Sequence, residues 1–425
     1  MRVLTRPRAI PARMVANATI GVLVFLSGFV LFEPAPSDLL LCVVVAIWAF
    51  VGLKISRPML PMIALMLTYQ AGGLLSFTQL KVFLNPSIYM ATTAFLIISS
   101  IFFAAVIQVD TERRLRTIEK SYIAAAILCS LIGILAYFGL IPYAHLFTLY
   151  DRAKGVFKDP NVFGPYLVLP LVVLTRAVLT DRLRHSFWRM AGILILLAGI
   201  FLSFSRAAWG LAIFALFVMT ALAFLTEPRQ SHRLRMLAYI VGGILVVALL
   251  LALLLSIPVV QDLFTQRFKL VQEYDGGRLG RFERHIIGFF MIQENPLGLG
   301  PFEFGKMMGE DEHNMWLKGF TAYGWLGGFS YIALVIWTLV IATPLVFKNR
   351  PWTPFIQSVY AVYLGHLMIH NVIDNDHWRH VFLIYGLLWG IYALEWKTQR
   401  QALLHRRTAS PPPLIFGPVA LPRAV

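Results

Sequence analysis

Long apolar runs recur along nearly the whole chain, and they constrain its fold more than any other feature. Each of twelve runs approaches the roughly 20 residues that an α-helix needs to cross a bilayer. The sequence is 58% hydrophobic and 14% charged, with a mean hydropathy of +0.72, whereas a soluble domain carries about 25% charged residues. We therefore expect an all-α, polytopic membrane protein with about 12 transmembrane helices. The runs cover approximately residues 15–32, 38–53, 58–76, 88–109, 121–140, 162–180, 188–204, 207–225, 236–258, 320–347, 354–372 and 380–396.

The runs and the segments between them predict one transmembrane domain over residues 1–404. Because the second and seventh runs are short, the number of spans is eleven or twelve. The longest polar stretch, 259–319, falls between the ninth and tenth helices. It alternates apolar with basic residues, and Gly and Pro residues mark turns within it. This pattern predicts an ordered, helical loop. Residues 405–425 contain Pro411 to Pro413 and are expected to form a disordered tail.

The basic residues follow the pattern that sets membrane topology. The net charge of +16 comes from 37 Lys and Arg against 21 Asp and Glu, but the cations form short clusters between apolar runs. They make no continuous basic face with interleaved aromatic residues, so nucleic-acid binding is not expected. With a cytoplasmic N-terminus, about two thirds of the Lys and Arg residues fall in cytoplasmic tails and loops. This orientation predicts that both termini are cytoplasmic and that the 259–319 loop is extracytoplasmic.

Reactive polar residues gather on the extracytoplasmic side, and the first set precedes the sixth run. Arg152 and Lys158 stand there against the topological bias, ahead of Asp159-Pro160-Asn161, a turn and helix-start signal. They predict an anion-binding approach to the membrane surface. A solvated loop that ends in a helix cap is the alternative.

A second cation, Arg206, stands where the seventh run ends and the eighth begins almost at once. Its neighbours in Ser203–Gly210 are mostly small. A cation at such a tight turn suits a lipid phosphate, with exposed amides adding to the attraction. A side chain that snorkels to the headgroups would explain the same position.

The large loop contains a third basic set, which includes Arg278. If the segment after it is helical, Arg281, Arg284, His285 and Gly288 fall on one face. Its apolar residues Phe282, Ile286, Phe289 and Phe290 supply much of the remainder. The pattern predicts a helix that lies on the membrane interface, and a basic surface helix held by lipid headgroups is the simpler interpretation.

His313 is the candidate base, because an imidazole titrates near neutrality and can take a proton from a hydroxyl. It stands with Asn314 at the entry to the tenth run. A lone histidine is more often structural than catalytic. The turn at 370–380 is rich in His and Asp, but its spacing matches no zinc pattern, so we predict no metal and no cofactor.

Taken in order, these motifs resemble those of the O-antigen ligase family and its relatives, the Wzy-type polysaccharide polymerases. The resemblance rests on Gly155–Asn161, Ser205–Gly210, Arg281 ahead of Pro296, Gly298-Leu-Gly300, and His313-Asn314 ahead of Trp316. It implies an undecaprenyl-diphosphate-linked glycan as donor, a sugar hydroxyl as acceptor, and an active site on the periplasmic face of a bacterial inner membrane. His285 departs from the family, in which an aromatic residue is common.

The resemblance also implies roles for individual residues. Arg206 and Arg281 resemble the arginines that hold the diphosphate, and His313 resembles the histidine that activates the acceptor. Further substrate contacts are expected from Arg152, Lys158, Arg278, Arg284 and Asn314.

The function predicted on this basis is a metal-independent, inverting glycosyltransferase of lipopolysaccharide biosynthesis, an O-antigen ligase. A polymerase of O-antigen or exopolysaccharide is the alternative, and it differs in the acceptor: another repeat unit in place of lipid A core. Membrane lipids and other polysaccharide-assembly proteins are the expected partners. A transporter or flippase would place ionisable residues near the bilayer midplane, where His366 is the main example in this chain.

Overall fold

The computed structural model describes residues 9–181, 186–268 and 280–408, and these are almost entirely α-helical. The all-α fold class is thus confirmed, with one two-residue hairpin in which Thr148 pairs with Ala153. The elements in chain order are α1 Ala9–Leu26, α2 Pro36–Val51, α3 Leu60–Leu75, α4 Leu84–Val106, α5 Thr111–Tyr137, β1 Thr148–Leu149, β2 Arg152–Ala153, α6 Pro160–Tyr166, α7 Val168–Thr180, α8 Phe187–Leu202, α9 Arg206–Thr226, α10 Gln230–Leu255, α11 Pro258–Arg267, α12 Arg281–Glu294, α13 Glu303–Met308, α14 Met315–Thr321, α15 Gly324–Ala342, α16 Thr353–Ile369 and α17 Arg379–Thr408.

Helices occupy all twelve predicted apolar runs, and within the described ranges seven helical segments are long and apolar enough to cross a membrane. Three further helices are apolar but shorter, so the number twelve stays a prediction. The seven are Arg57–Gln79, Leu84–Val106, Thr111–Tyr137, Pro160–Thr180, Arg206–Thr226, Gln230–Leu255 and Gly324–Phe347. The described part of the large loop contains the helices α11 to α14, which are joined by short non-helical segments. The predicted tail begins within α17, and residues 409–425 lie outside the described residues.

Contacts between connecting segments gather the large loop at one end of the bundle, which we call the loop end. Arg379, at the start of α17, donates to both carboxylate oxygens of Asp38 at 2.8 and 2.6 Å. Asn314, in the large loop, donates from Nδ2 to the carbonyl oxygen of Asn371 at 3.4 Å. Each pair joins two segments that are predicted to be extracytoplasmic.

The opposite end, which we call the basic end, joins segments that are predicted to be cytoplasmic. Arg350 pairs with Glu395, with Nε and Oε2 3.0 Å apart. Arg235 donates from Nη2 to the carbonyl oxygen of Thr180 at 3.0 Å. Segments predicted to share a side of the membrane therefore share an end of the bundle.

Close backbone contact joins α3 to the start of α15 beneath the loop end. A Cβ atom on Gly72 would lie only 2.4 Å from the carbonyl oxygen of Tyr323 and 2.6 Å from the amide nitrogen of Gly327. The rings of Tyr69 and Tyr323 stack beside this contact, with centroids 3.8 Å apart. Glycine is required at position 72 because small residues let membrane helices approach this closely.

We expect Gly72→Ala to lower the melting temperature of the purified protein in detergent. The added methyl group must displace the α15 backbone, and overpacking of this kind costs about 1–3 kcal/mol. Gly243→Ala is the matched control, because nothing lies within 4 Å of a Cβ at that position in α10. Equal melting temperatures for the two variants would contradict the close α3–α15 contact.

Candidate active site

His313 lies in a bent loop between α13 and α14, at the loop end. Its backbone is in the left-handed region, with φ 48°, a conformation that costs about 1–3 kcal/mol for a residue other than glycine. The next residue, Asn314, caps α14 by accepting a hydrogen bond from the Leu317 amide at 3.0 Å. The Met315 amide donates to the carbonyl oxygen of His370 at 2.8 Å. The half-buried imidazole is therefore carried on a strained backbone that is tied to the end of α16.

A buried ammonium group organises the acidic residues around this loop. Lys318, in α14, is only 7% exposed. Its Nζ lies 3.2 Å from a carboxylate oxygen of Asp374 and 3.8 Å from those of Asp311 and Glu312. Buried charges must be paired, because their desolvation costs several kcal/mol each. Lys318 thus joins α14 both to the His313 loop and to the turn after α16.

Burial and this ammonium group act in opposite directions on the pKa values of neighbouring carboxyl groups. Burial raises the pKa of Glu312 to about 7, against the attraction of Lys318, and the Thr321 hydroxyl donates to Glu312 Oε1 at 2.5 Å. Burial also opposes ionisation of Asp376, but Lys318 and His377 hold its pKa below the ordinary value. One carboxyl group therefore titrates near neutral pH, and another stays ionised beside it.

The basic helix of the large loop turns its arginine face towards the protein. In α12, Arg284 and Gly288 are buried, and a Cβ on Gly288 would lie 2.6 Å from the Leu317 side chain of α14. Arg281 and His285 are half-buried on the same face. The exposed side chains of α12 include Phe282, Ile286, Phe289 and Phe290. The predicted amphipathic helix is confirmed, and its exposed apolar face suits contact with lipid.

His285 connects α12 to the His313 loop. Its Nε2 donates to the carbonyl oxygen of Glu312 at 2.8 Å, so Nδ1 carries no proton when the ring is neutral. Burial lowers the pKa of His285, which favours that neutral form. Arg281 lies one helical turn before His285, and His313 directly follows Glu312. One hydrogen bond therefore holds the two predicted catalytic residues to the same part of the loop end.

Arg206 begins α9, at a tight turn after α8. The Ser205 side chain caps the helix. Arg152 braces this turn from β2: its Nε donates to the carbonyl oxygen of Ser203 and its Nη2 to Oδ1 of Asn161, both at 2.8 Å. Arg152 is 7% exposed, so it positions the turn that presents Arg206.

The end of α16 links the Arg206 turn to the His313 loop. Gly210, one turn into α9, faces Met368, whose Cε would lie 3.6 Å from a Cβ on that glycine. Asn371 donates from Nδ2 to the Met368 carbonyl oxygen at 2.9 Å, and its own carbonyl oxygen accepts from Asn314. The two arginines predicted to bind phosphate and the predicted base therefore share the loop end.

The remaining predicted contacts lie at the edge of this arrangement. Lys158 is exposed and pairs with Glu33, with Nζ and Oε2 2.6 Å apart. Arg284 is buried and pairs with Glu310, whereas Arg278 lies outside the described residues. Binding roles for these three arginine and lysine side chains stay predictions. In the part of the chain that the structure describes, no group of three or more His, Cys, Asp and Glu side chains is placed to hold a metal ion.

The motifs alone do not single out Lys318 or Tyr89. A lysine one turn after the Asn314 cap, in an otherwise apolar helix entry, is a signal that a buried acidic partner must exist. Tyr89, whose hydroxyl donates to Asp376 and whose ring centre lies 5.9 Å from Lys318 Nζ, gives no local signal. Its partner is 287 residues away along the chain.

Replacing Lys318 with Met should lower the melting temperature strongly. The variant strands Glu312 and Asp374 without a counter-ion, and loss of one member of a buried pair costs about 3–5 kcal/mol. The loss should be smaller at about pH 5 than at about pH 8, because protonation neutralises the stranded carboxylates. Lys306→Met, which removes an exposed partner of Glu303, is the control in the same detergent assay. Similar losses in both variants would argue against the Lys318 cluster.

Glu312 should make the folded state less stable as the pH rises through about 7. Its pKa is about 7 in the folded protein, whereas the ordinary pKa of a glutamate side chain is 4.5. The stabilisation by the bound proton is complete below about pH 4.5 and is lost as the pH rises through the folded pKa. Glu312→Gln keeps an acceptor for Thr321 and removes the titration, so its melting temperature should vary less between about pH 5 and 8. Glu303→Gln should keep the wild-type profile; a wild-type profile in Glu312→Gln would refute the assignment.

Residues 191–332, about one third of the chain, match the model of a protein family described as O-antigen ligase. The matched segment runs from α8 into α15 and includes Arg206, Arg281 and His313. No curated protein matches the chain. Together with the helices that are apolar enough to cross a membrane, the family match supports a multi-pass membrane enzyme that processes glycans. The family match supports the resemblance found in the motifs: residues 191–332 are similar to the O-antigen ligase family.

Proposed function

We propose that the protein is a membrane-embedded glycosyltransferase that moves a glycan from undecaprenyl diphosphate to a sugar hydroxyl, in the manner of an O-antigen ligase. The observation that carries this proposal is the series of contacts that connects the start of α9, the His285 turn of α12 and the His313 loop at the end of α16. Such a transfer needs a base for the acceptor hydroxyl and positive charge for the leaving diphosphate. We infer that the loop end is periplasmic in a bacterial inner membrane, with both termini cytoplasmic.

In the proposed reaction, the acceptor hydroxyl attacks the anomeric carbon on the face opposite the diphosphate. His313 takes the hydroxyl proton as the new carbon–oxygen bond forms. The bond from the anomeric carbon to the diphosphate oxygen breaks, with inversion. Arg206 and Arg281 neutralise the charge that develops on the departing diphosphate, so the proposed reaction is metal-independent. The products are the glycosylated acceptor and undecaprenyl diphosphate, and His313 passes its proton to water.

The orientation of α12 suits a donor that is carried by a lipid. Its apolar side chains are exposed, and its basic face is turned to the protein. The polyprenyl tail would stay in the bilayer while the diphosphate reaches Arg281. Arg152 is proposed to act by holding the Arg206 turn, Asn314 by fixing the His313 loop, and Lys158, Arg278 and Arg284 by raising the positive potential along the approach.

The acceptor distinguishes two versions of this chemistry. A ligase would use lipid A core, whereas a Wzy-type polymerase would use another repeat unit. Deletion of the gene separates them: loss of a ligase removes the glycan from its final acceptor, and loss of a polymerase leaves single repeats attached.

His313→Ala and Arg281→Ala should each abolish most of the transfer from a lipid-linked glycan donor by the purified protein in detergent. Loss of a general base costs about 10²–10⁴ in rate, and loss of one charge-stabilising donor about 10²–10³. Arg206→Ala should behave like Arg281→Ala. Lys306→Ala, which removes an exposed lysine of the same loop, should keep the wild-type rate.

Unchanged rates in both His313→Ala and Arg281→Ala would overturn the site. The assay contains no ion gradient and no second compartment. Transfer under these conditions is therefore expected for the proposed enzyme and would not be expected for a transporter or flippase.

A further inference from the structure

A cavity at the basic end lies on the opposite side of the bundle from His313. Its volume is about 300 Å³, and it is formed by the start of α5, the end of α7 and the start of α16. Its lining carries charges of both signs beside a tryptophan. The residues that matter here are Glu112, Arg116, Glu119, Arg176, Asp181 and Trp352.

Arg176 is the unusual member of this lining, because its charge is buried without a matching carboxylate. It is 8% exposed, and its Nε donates to Oε1 of Gln357, a neutral side chain, at 3.1 Å. Among the described residues, Nη1 has no hydrogen-bond partner and no carboxylate lies within 4.0 Å of the guanidinium. Glu227 acts on Arg176 only from farther away and lies 3.5 Å from His232. A buried cation in this state is destabilising unless an anion or a dipole joins it.

Two of the acidic side chains that line the cavity already have cationic partners. Asp181 pairs with Arg189, and Glu112 lies 3.6 Å from Arg116. Glu119 is half-buried and makes no hydrogen bond, and no ion pair within 4.0 Å, with any residue in the described ranges, although Arg189 and Lys120 attract its charge from farther away. The cavity thus presents one cation and one carboxylate that both lack a close partner.

An apolar cleft continues from the cavity along α5 and α7. It shares Glu119, Val173 and Phe355 with the cavity. Its other walls are apolar apart from the hydroxyl of one tyrosine, and they comprise Ile118, Tyr122, Ile123, Leu169, Pro170, Leu383 and Leu387. The cleft is too narrow for a hydrocarbon chain. The cavity itself lies at the ends of α5 and α7, which belong to segments long and apolar enough to cross a membrane. Phospholipid headgroups reach this level of a membrane protein, and a headgroup there is held more readily than a soluble anion.

We propose that this cavity binds the headgroup of a zwitterionic phospholipid, with the phosphate against Arg176 and a primary ammonium against Glu119. An aminoalkyl phosphate supplies both missing partners in one molecule, and its acyl chains would remain in the bilayer. Trp352 lies at the level of the headgroup, where tryptophan is enriched in membrane proteins. The lipid belongs to the leaflet at the basic end, which is the cytoplasmic leaflet in the proposed orientation.

The test measures lipid binding by thermal shift and by native mass spectrometry of the full-length protein in detergent. The ligands are phosphatidylethanolamine, phosphatidylglycerol and free phosphoethanolamine. Phosphatidylethanolamine should bind at least tenfold more tightly than phosphatidylglycerol, and free phosphoethanolamine should have no effect. In Arg176→Gln, phosphatidylethanolamine should no longer raise the melting temperature. Lys397→Gln, which removes an exposed cation of α17 at the same end, should bind like the wild type.

Glu119→Gln gives an independent variant, since its side chain has no close partner to lose in the fold. It should remove the preference for ethanolamine over glycerol lipid and retain phosphate binding, even if Arg176→Gln fails to fold. Equal binding of the two lipids by the wild type, or an unchanged preference in Glu119→Gln, would overturn the proposal. If free phosphoethanolamine shifts the melting temperature as much as phosphatidylethanolamine does, the cavity binds a soluble phosphate compound, and the proposal that a lipid binds there is overturned.

Discussion

A bilayer interior offers no hydrogen bonds to the backbone, and the architecture of this protein follows from that constraint. Each apolar run must satisfy its own amides and carbonyls, so each becomes a helix. Polar side chains are then displaced to the two ends of the bundle, where connecting segments meet water and headgroups. The proposed chemistry lies at the end where the large loop returns to the helices.

At the loop end, the geometry depends on a few tethers between distant segments. The bond from His285 to the Glu312 carbonyl joins the arginine helix to the His313 loop. Lys318 ties the same loop to the turn after α16 through Asp374. Arg152 fixes the turn that starts α9. Each tether acts on the backbone near a predicted catalytic residue.

Local patterns in the sequence were enough to predict part of this structure. Helices at all twelve runs follow from run length and hydropathy, and the two-faced character of α12 follows from the spacing of Arg281, Arg284 and His285. The pairing of segments at each end agrees with the distribution of Lys and Arg. These features are local, so a single segment carries enough information to predict them.

Local patterns could not predict which distant residues contact each other in the folded protein. Lys318 meets Asp374 across 56 residues, and no property of either segment specifies the other. The sequence predicts that Arg152 contacts substrate. In the structure its side chain donates to the carbonyl oxygen of Ser203 and to the side chain of Asn161, so it also braces a turn. A basic residue in a loop has the same appearance in sequence whether it faces a ligand or a neighbouring carbonyl oxygen.

The exposed phenylalanines of α12 have a consequence for how the arginine face is held. Among the described residues, the packed face of this helix is held through His285, Gly288 and the pair of Arg284 with Glu310. In the proposed membrane setting, the face with the phenylalanines rests against acyl chains, so the membrane becomes a structural element of the proposed site. The orientation of Arg281 is then set jointly by the protein and by the lateral pressure of the surrounding lipid. The proposed catalytic apparatus therefore extends beyond the polypeptide.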